Sequence, residues 1–222
     1  GGVDGGGAYT CAFWDPSGGV YCWGDNDEGQ WGTGNVGPTI GPDGAVSLAT
    51  NVVQISAGSH TTCARKRDGA VDCWGDDLIG DNSIDRSVKP ANIHSASEPA
   101  IDVSKGYNHG CLVLQNGIVR CWGSNTNGQL GTGTFSTALG PVNVTSITDG
   151  VAVAAGVDHT CAVRTGGKVS CWGSNSYGQI GSTTPQFSQT TPADVVGIKA
   201  IDVTAGSWHT CALLQDRRVA CW

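Results

Sequence analysis

Apolar positions along this chain come in short bursts, not at helical spacing. The run Val151-Ala152-Val153-Ala154-Ala155-Gly156 is apolar throughout and closes on glycine, which reads as a short buried strand. His159-Thr160-Cys161-Ala162-Val163 follows, then the turn Thr165-Gly166-Gly167, then Lys168-Val169-Ser170-Cys171-Trp172. Two short runs around a glycine turn predict an antiparallel hairpin. A polar, glycine-rich loop from Gly173 to Gly181 leads through a connector to the next apolar run. The same unit is opened by Ile55-Ser56-Ala57-Gly58, Val103-Ser104-Lys105-Gly106 and Val203-Thr204-Ala205-Gly206. No long stretch has the 3.6-residue periodicity of a helix. No apolar run reaches the ~18 residues that a membrane span needs.

The cysteines mark the period. First cysteines of successive pairs are 52, 48, 50 and 50 residues apart, and each second cysteine precedes a tryptophan. A repeat of this size is one supersecondary unit copied in tandem, so the predicted class is all-β. If the fourth hairpin turns about Gly166, Cys161 faces Cys171 and Val163 faces Val169, close enough for an S–S bond. The same register holds in copies two, three and five. Copy one carries one extra residue within Asp15-Pro16-Ser17-Gly18-Gly19, expected in a longer turn or a bulge. The predicted bonds are Cys11–Cys22, Cys63–Cys73, Cys111–Cys121, Cys161–Cys171 and Cys211–Cys221. Zinc sites bring ligands two to four residues apart, and no such spacing occurs here. Ten cysteines with none left over point to an oxidising compartment, hence an extracellular or cell-surface address.

The motif His-Thr-Cys-Ala-Val at 159–163, Cys-Trp-Gly-Ser-Asn at 171–175 and Gly-Gln-Ile-Gly at 178–181 resembles the regulator of chromosome condensation repeat. The loop Gly123 to Gly131 matches Gly173 to Gly181 position for position, Gly24 to Gly32 is the first copy, and Gly75 to Gly80 is a shortened one. The resemblance covers nearly the whole chain. It implies a β-propeller of four-stranded blades, usually seven. Its members include a guanine-nucleotide exchange factor, ubiquitin-ligase modules and a secreted bacterial inhibitor of β-lactamase, so fold transfers and function does not. The expected architecture is one domain over 1–222. Its five repeats run about 1–50, 51–98, 99–148, 149–198 and 199–222, the last incomplete, and each carries a disulfide-clipped hairpin. A five-bladed ring, an open arc and part of a longer array all remain open. With no initiator methionine and no signal peptide, the sequence reads as a processed or excised form.

Candidate chemistry is sparse. His60, His109, His159 and His209 read as one repeat position, with Tyr9 there in copy one. They are expected to cap the turn after the Ala-Gly strand, since Tyr9 breaks a ring of metal ligands. Asp25, Asp27 and Glu28, and Asp76, Asp77, Asp81 and Asp85, suggest calcium loops, but copies three and four hold Ser, Asn and Thr there, so turns are expected. Trp23, Trp74, Trp122, Trp172 and Trp222 are expected to pack between blades. Trp14, Trp31 and Trp208 lie outside that motif and are contact candidates. So are Asp81 and Asp85, in the irregular connector of copy two from Asp81 to Pro99. No nucleophile elbow, zinc-protease or phosphate-loop motif occurs, and no cysteine is left over as a nucleophile, so neither enzyme activity nor a metal or cofactor is expected.

Net charge is −7, which opposes general nucleic-acid binding. Basic residues cluster in the hairpins (Arg65, Lys66, Arg67, Arg120, Arg164, Lys168, Arg217 and Arg218). Acids cluster in loops and connectors (Asp25, Asp27, Glu28, Asp43, Asp76, Asp77, Asp81, Asp85 and Glu98). A basic side and an acidic side are expected, suited to self-stacking or to a charged partner. The leading expectation is a non-enzymatic extracellular module, structural or self-assembling, with a secreted protein-binding or inhibitor propeller as the alternative and nucleotide exchange less favoured. The edge of the fifth hairpin is expected to be completed either by a neighbouring chain or by Val3-Asp4-Gly5.

Overall fold

Strand, tight turn, strand is the whole vocabulary of the fold. The computed structural model describes residues 1–14, 18–37, 40–46, 49–76, 78–182 and 187–222. Blade one consists of β1 (Gly2–Gly5), β2 (Tyr9–Trp14), β3 (Gly19–Gly24) and β4 (Ile40–Val46). Blade two has β5 (Val52–Ala57), β6 (Thr61–Lys66), β7 (Val71–Gly75) and β8 (Ser87–His94). Blade three has β9 (Ala100–Lys105), β10 (His109–Leu114), β11 (Val119–Gly123) and β12 (Ala138–Asn143). Blade four has β13 (Gly150–Ala155), β14 (His159–Arg164), β15 (Val169–Ser174) and β16 (Ser188–Asp194). Blade five has three strands, β17 (Ala200–Ala205), β18 (Thr210–Leu214) and β19 (Val219–Cys221). Every sheet is an antiparallel meander. The first strands β1, β5, β9, β13 and β17 pack side by side in chain order and line a polar axial channel of about 310 Å³.

The hairpin register is the one the cysteine spacing implies. Cys161 pairs with Cys171 and Val163 with Val169. All five disulfides form within their own blades, with Cα atoms 4.0–4.1 Å apart. The extra residue of copy one is expected within Asp15–Gly19, of which Asp15–Ser17 lie outside the described residues. Gly1–Gly7 does not complete blade five. Gly2 to Gly5 pairs with Phe13 to Thr10 and is the inner strand of blade one. The connector of copy two is also more regular than its composition suggests, because Ser87–His94 forms a strand on β7.

One hairpin tip departs from the rest. Gly69 and Gly117 turn with φ of 86° and 84°, and the matching residue of blade five is Arg217, at φ 70°. A left-handed conformation costs a non-glycine residue about 1–2 kcal/mol. Arg217→Gly is therefore expected to raise the stability of blade five by up to about 1 kcal/mol after glycine's own entropy cost, read as a higher denaturant midpoint.

Candidate functional site: blade junctions and the loop face

Alternation along the strands gives each blade two different faces. In blade three, Cys111, Val113, Val119 and Cys121 point toward blade four, whose Val153, Ala162 and Trp172 point back at them. Blades one and two, two and three, and four and five meet the same way. Trp74, Trp122 and Trp172 are fully buried in these junctions, as expected of the motif tryptophans.

A polar latch crosses three of the four junctions, complete with its tryptophan in two of them; between blades four and five Thr210 donates to the Gln179 carbonyl at 2.8 Å, but the Trp222 indole nitrogen has no hydrogen-bond partner. The Trp172 indole N–H and the Thr160 hydroxyl both donate to the Gln129 carbonyl, each at 2.8 Å. Trp74 and Thr62 do the same to Gln30, at 2.8 and 2.7 Å. The repeated Gly-Gln loop thus offers one carbonyl to the next blade. The histidine position adds a third bond. His109 Nε2 lies 2.8 Å from Thr160 Oγ1, and His159 Nε2 lies 2.9 Å from Thr210 Oγ1. In blade one the Tyr9 hydroxyl takes this place, 2.9 Å from Thr62 Oγ1. These rings are inter-blade latches more than turn caps, although the His109 and His159 carbonyls do accept from Gly106 and Gly156.

Around the channel, side chains of one inner strand bind backbone amides of the next. Ala57 N donates to Asp4 Oδ2 at 2.8 Å, Lys105 N to Ser56 Oγ at 2.9 Å, and Ala155 N to Ser104 Oγ at 3.0 Å. Asp102 accepts from Val153 N at 2.8 Å and from Gln54 Nε2 at 2.6 Å. Burial raises the Asp102 pKa, opposed by these bonds. Asp4 and Asp102 are thus committed to holding strands together, whereas Asp202 accepts from the Val203 amide of its own strand at 2.8 Å. Among the described residues no group of three or more His, Cys, Asp or Glu could hold a metal ion.

The junction of blades two and three breaks the pattern, and it corrects one sequence assignment. Thr61, not His60, pairs with Gly75 as His109 pairs with Gly123. His60 stands one residue earlier, in the position of Asn108 and Asp158. The latching threonine is also missing, since Gly110 opposes Trp122 where Thr160 opposes Trp172. The shortened loop supplies no glutamine, and the Trp122 indole nitrogen has no hydrogen-bond partner.

The space is filled from the other side. Lys105, where the other copies have Ala or Gly, is buried with its stem against Gly58, and its ammonium donates to the His109 carbonyl at 3.2 Å. Burial lowers its pKa from 10.5 to about 7, partly offset by the Asp76 carboxylate. Burial likewise lowers His109 to about 3 and His159 to about 4, from 6.5. In both cases the unfolded chain binds more protons, so stability rises with pH. The histidine contribution is full above about 6.5 and is lost as pH falls toward 3–4. The Lys105 cost is absent above about 10.5 and fully present below about 7. Thermal melts across pH should show both slopes, and Lys105→Met should flatten the alkaline one and stabilise the protein by roughly 1–3 kcal/mol at neutral pH.

At both ends of the series a junction face lies uncovered. Blade five's Leu213 and Val219 are 38% and 65% exposed, whereas their counterparts Val163 and Val169 are 1% exposed. The disulfide Cys211–Cys221 opens to the same side. Blade one's opposite face shows Val3 at 66% exposed, against 5% for Val153, and a half-buried Trp23. The two faces are the two halves of the junction seen four times inside the molecule.

The remaining sequence candidates fall at two edges of the blades. Trp31 is 3% exposed and packs in the first core cluster with Trp74, because it occupies the position of Leu130 and Ile180 in the Gly-Gln loop; it is no contact residue. Trp14 is exposed near a hairpin tip and stacks on Tyr21 at 4.3 Å. Trp208, Asp81 and Asp85 lie at the opposite edge, on the loop face. This face is built from the turns after each first strand and the loops after each third strand. The loop face is acidic as expected, but the tip side is not plainly basic. Arg120 pairs with Glu98 and Arg164 with Asp149, both on the tip side, and Lys168 and Arg218 have acidic partners too. Asp77, and the side chain of Asp43, lie outside the described residues.

The suspected calcium loop of copy one serves as a turn. The Asp27 amide donates to Asp25 Oδ1 at 3.0 Å, and Glu28 pairs with Arg86 at 2.8 Å. The latch was written in the sequence as the recurring Thr before the first cysteine and Gln in the loop, but their meeting depends on blade-to-blade packing.

Two family models described as Regulator of chromosome condensation (RCC1) repeat match the chain, one at residues 52–78, 100–129 and 151–179, the other at 116–163 and 166–213. Together they span more than half of it. No curated protein sequence matches. Among solved structures, human WBSCR16 superposes with a TM-score of 0.86 at 21% identity, over 99% of this chain and 60% of that one. Yeast RCC1 (Prp20), solved bound to Kap60, gives 0.83 at 22% identity, over 99% and 54%. The ectodomain of the Physcomitrella patens receptor kinase CR4 gives 0.63 at 21%, over 99% and 52%. At these identities the likeness is one of fold, and the chain spans little more than half of each neighbour.

Proposed function

Because the chain belongs to the RCC1-repeat family, we propose that it acts outside the cell as a non-enzymatic structural or assembly module joined blade face to blade face. The observation that carries this reading is the blade junction, in which an apolar strand face of one blade closes on its neighbour and which recurs between all five blades. Leu213 and Val219 of blade five and Val3 and Trp23 of blade one present the two halves of that junction, so a second copy can join face to face. This contact is head-to-tail and need not close, as expected of a layer or filament. Five disulfides suit an oxidising setting.

Complementation tests the reading. Leu213→Asp should spoil one face and Val3→Asp the other. Each variant alone should stay monomeric, and their mixture should form one-to-one dimers through the two intact faces. A mixture that stays monomeric at concentrations where the parent chain associates would refute the head-to-tail contact.

A second reading, a protein-binding or inhibitor propeller, is favoured by the exposed aromatic side chains of the loop face. The neighbour solved with Kap60 shows a propeller of this fold in complex with a protein.

A further inference from the structure

The loop face is divided in composition. Over blades three to five it exposes Tyr107, Phe135, Tyr177, Phe187 and Trp208, with Tyr177 and Phe187 at 72% and 82%. Tyr177 and Trp208, from neighbouring blades, meet at 5.6 Å between ring centroids with a 42° tilt. Over blades one and two it carries Asp25, Asp27, Glu28, Asp76, Asp81 and Asp85. Among the described residues Arg86 is the face's one arginine or lysine in a loop, and it is held by Glu28 and by the Asp27 carbonyl.

The scaffold does not require these rings. The Tyr177 amide donates to Gln179 Oε1 at 2.9 Å, and Asn127 and Glu28 make the same bond to Gln129 and Gln30 at the same distance. One loop geometry is thus built with Tyr, Asn or Glu at this position. Trp208 likewise stands where the other blades have Asp158, Asn108, His60 and Ala8. Exposed aromatic side chains that packing does not need mark contact surfaces.

We propose that the loop face binds an extended protein segment whose cationic part lies over the acids of blades one and two and whose apolar side chains seat on the Tyr177–Trp208 half. The inference rests on the protein-binding reading and is independent of the blade-face contact. The acids supply charge complementarity and steering, and the aromatic rings supply buried area and faces for aliphatic or guanidinium groups.

Selection of random linear peptides on the immobilised parent chain tests the proposal. Enriched peptides should join a Lys/Arg block to an apolar block in a fixed order. Tyr177→Asn keeps the loop, by the precedent of Asn127. It should weaken a selected peptide about tenfold, as should Trp208→Ala, each near the threshold for a contact that matters. Asp27→Asn with Asp85→Asn should instead lower the salt dependence of binding. Peptides that lack a basic block, or that bind the Tyr177 and Trp208 variants unchanged, would overturn the proposal. Blade-face association, followed in the same variants by sedimentation, should be unaffected, so the two readings fail separately.

Discussion

Reducing all five disulfides is expected to unfold the chain, not merely loosen it. Each bond links residues 10 or 11 apart, and a loop of that size stabilises by roughly 2–3 kcal/mol. Five together contribute about 10–15 kcal/mol, comparable with the whole net stability of a domain, about 5–15 kcal/mol. The bonds should not break together. The cysteines of blades one to four are fully buried against the next blade, whereas Cys221 is exposed. Alkylation with mass spectrometry under increasing reductant should find Cys211 and Cys221 modified first, with far-ultraviolet circular dichroism lost only when the inner bonds open. Simultaneous modification of all ten cysteines would mean that blade five is as protected as the rest.

Trp172→Ala is expected to be the most damaging single substitution. The side chain is fully buried between blades three and four and anchors the latch on Gln129. Truncating a buried tryptophan costs about 3–5 kcal/mol. The loss of the indole also removes a donor from Gln129, which keeps the Thr160 hydroxyl. Trp23→Ala removes the same residue from an uncovered face and should cost well under half as much. Chemical denaturation of the two variants measures the contrast, and equal losses would show that the blade-one face is covered in solution.

Much of the fold was legible because hairpin geometry is local. The cysteine register follows from the turn centre and the period-two alternation of a strand, so pairing could be read without knowing the blade. Packing between blades was less legible. Trp31 looked free because it falls outside the Cys-Trp motif, but Gly-Gln-Trp-Gly aligns it with the buried Leu130 and Ile180. His60 looked like His109 because it sits beside Thr61, and only counting back from Cys63 separates them. The N-terminal strand was obscured by its glycines. Val3 and Asp4 nevertheless keep the alternation of β9 and β13, and Asp4 secures the Ala57 amide. Lys105 stands where the other copies have Ala or Gly. Its stem lies beside Gly58 as the His109 ring lies beside Gly106, a substitution that shows only when blades two and three are compared in space.

Under the proposed head-to-tail contact, the two exposed faces are halves of one junction. Sedimentation of the unmodified oxidised chain over a range of concentrations tests it most directly. Head-to-tail joining predicts a weight-average mass that climbs steadily above the 22.7 kDa monomer, with Leu213→Asp and Val3→Asp each abolishing the rise. A chain that stays at the monomer mass across that range, with Trp23 and Val219 still accessible to solvent probes, would contradict it.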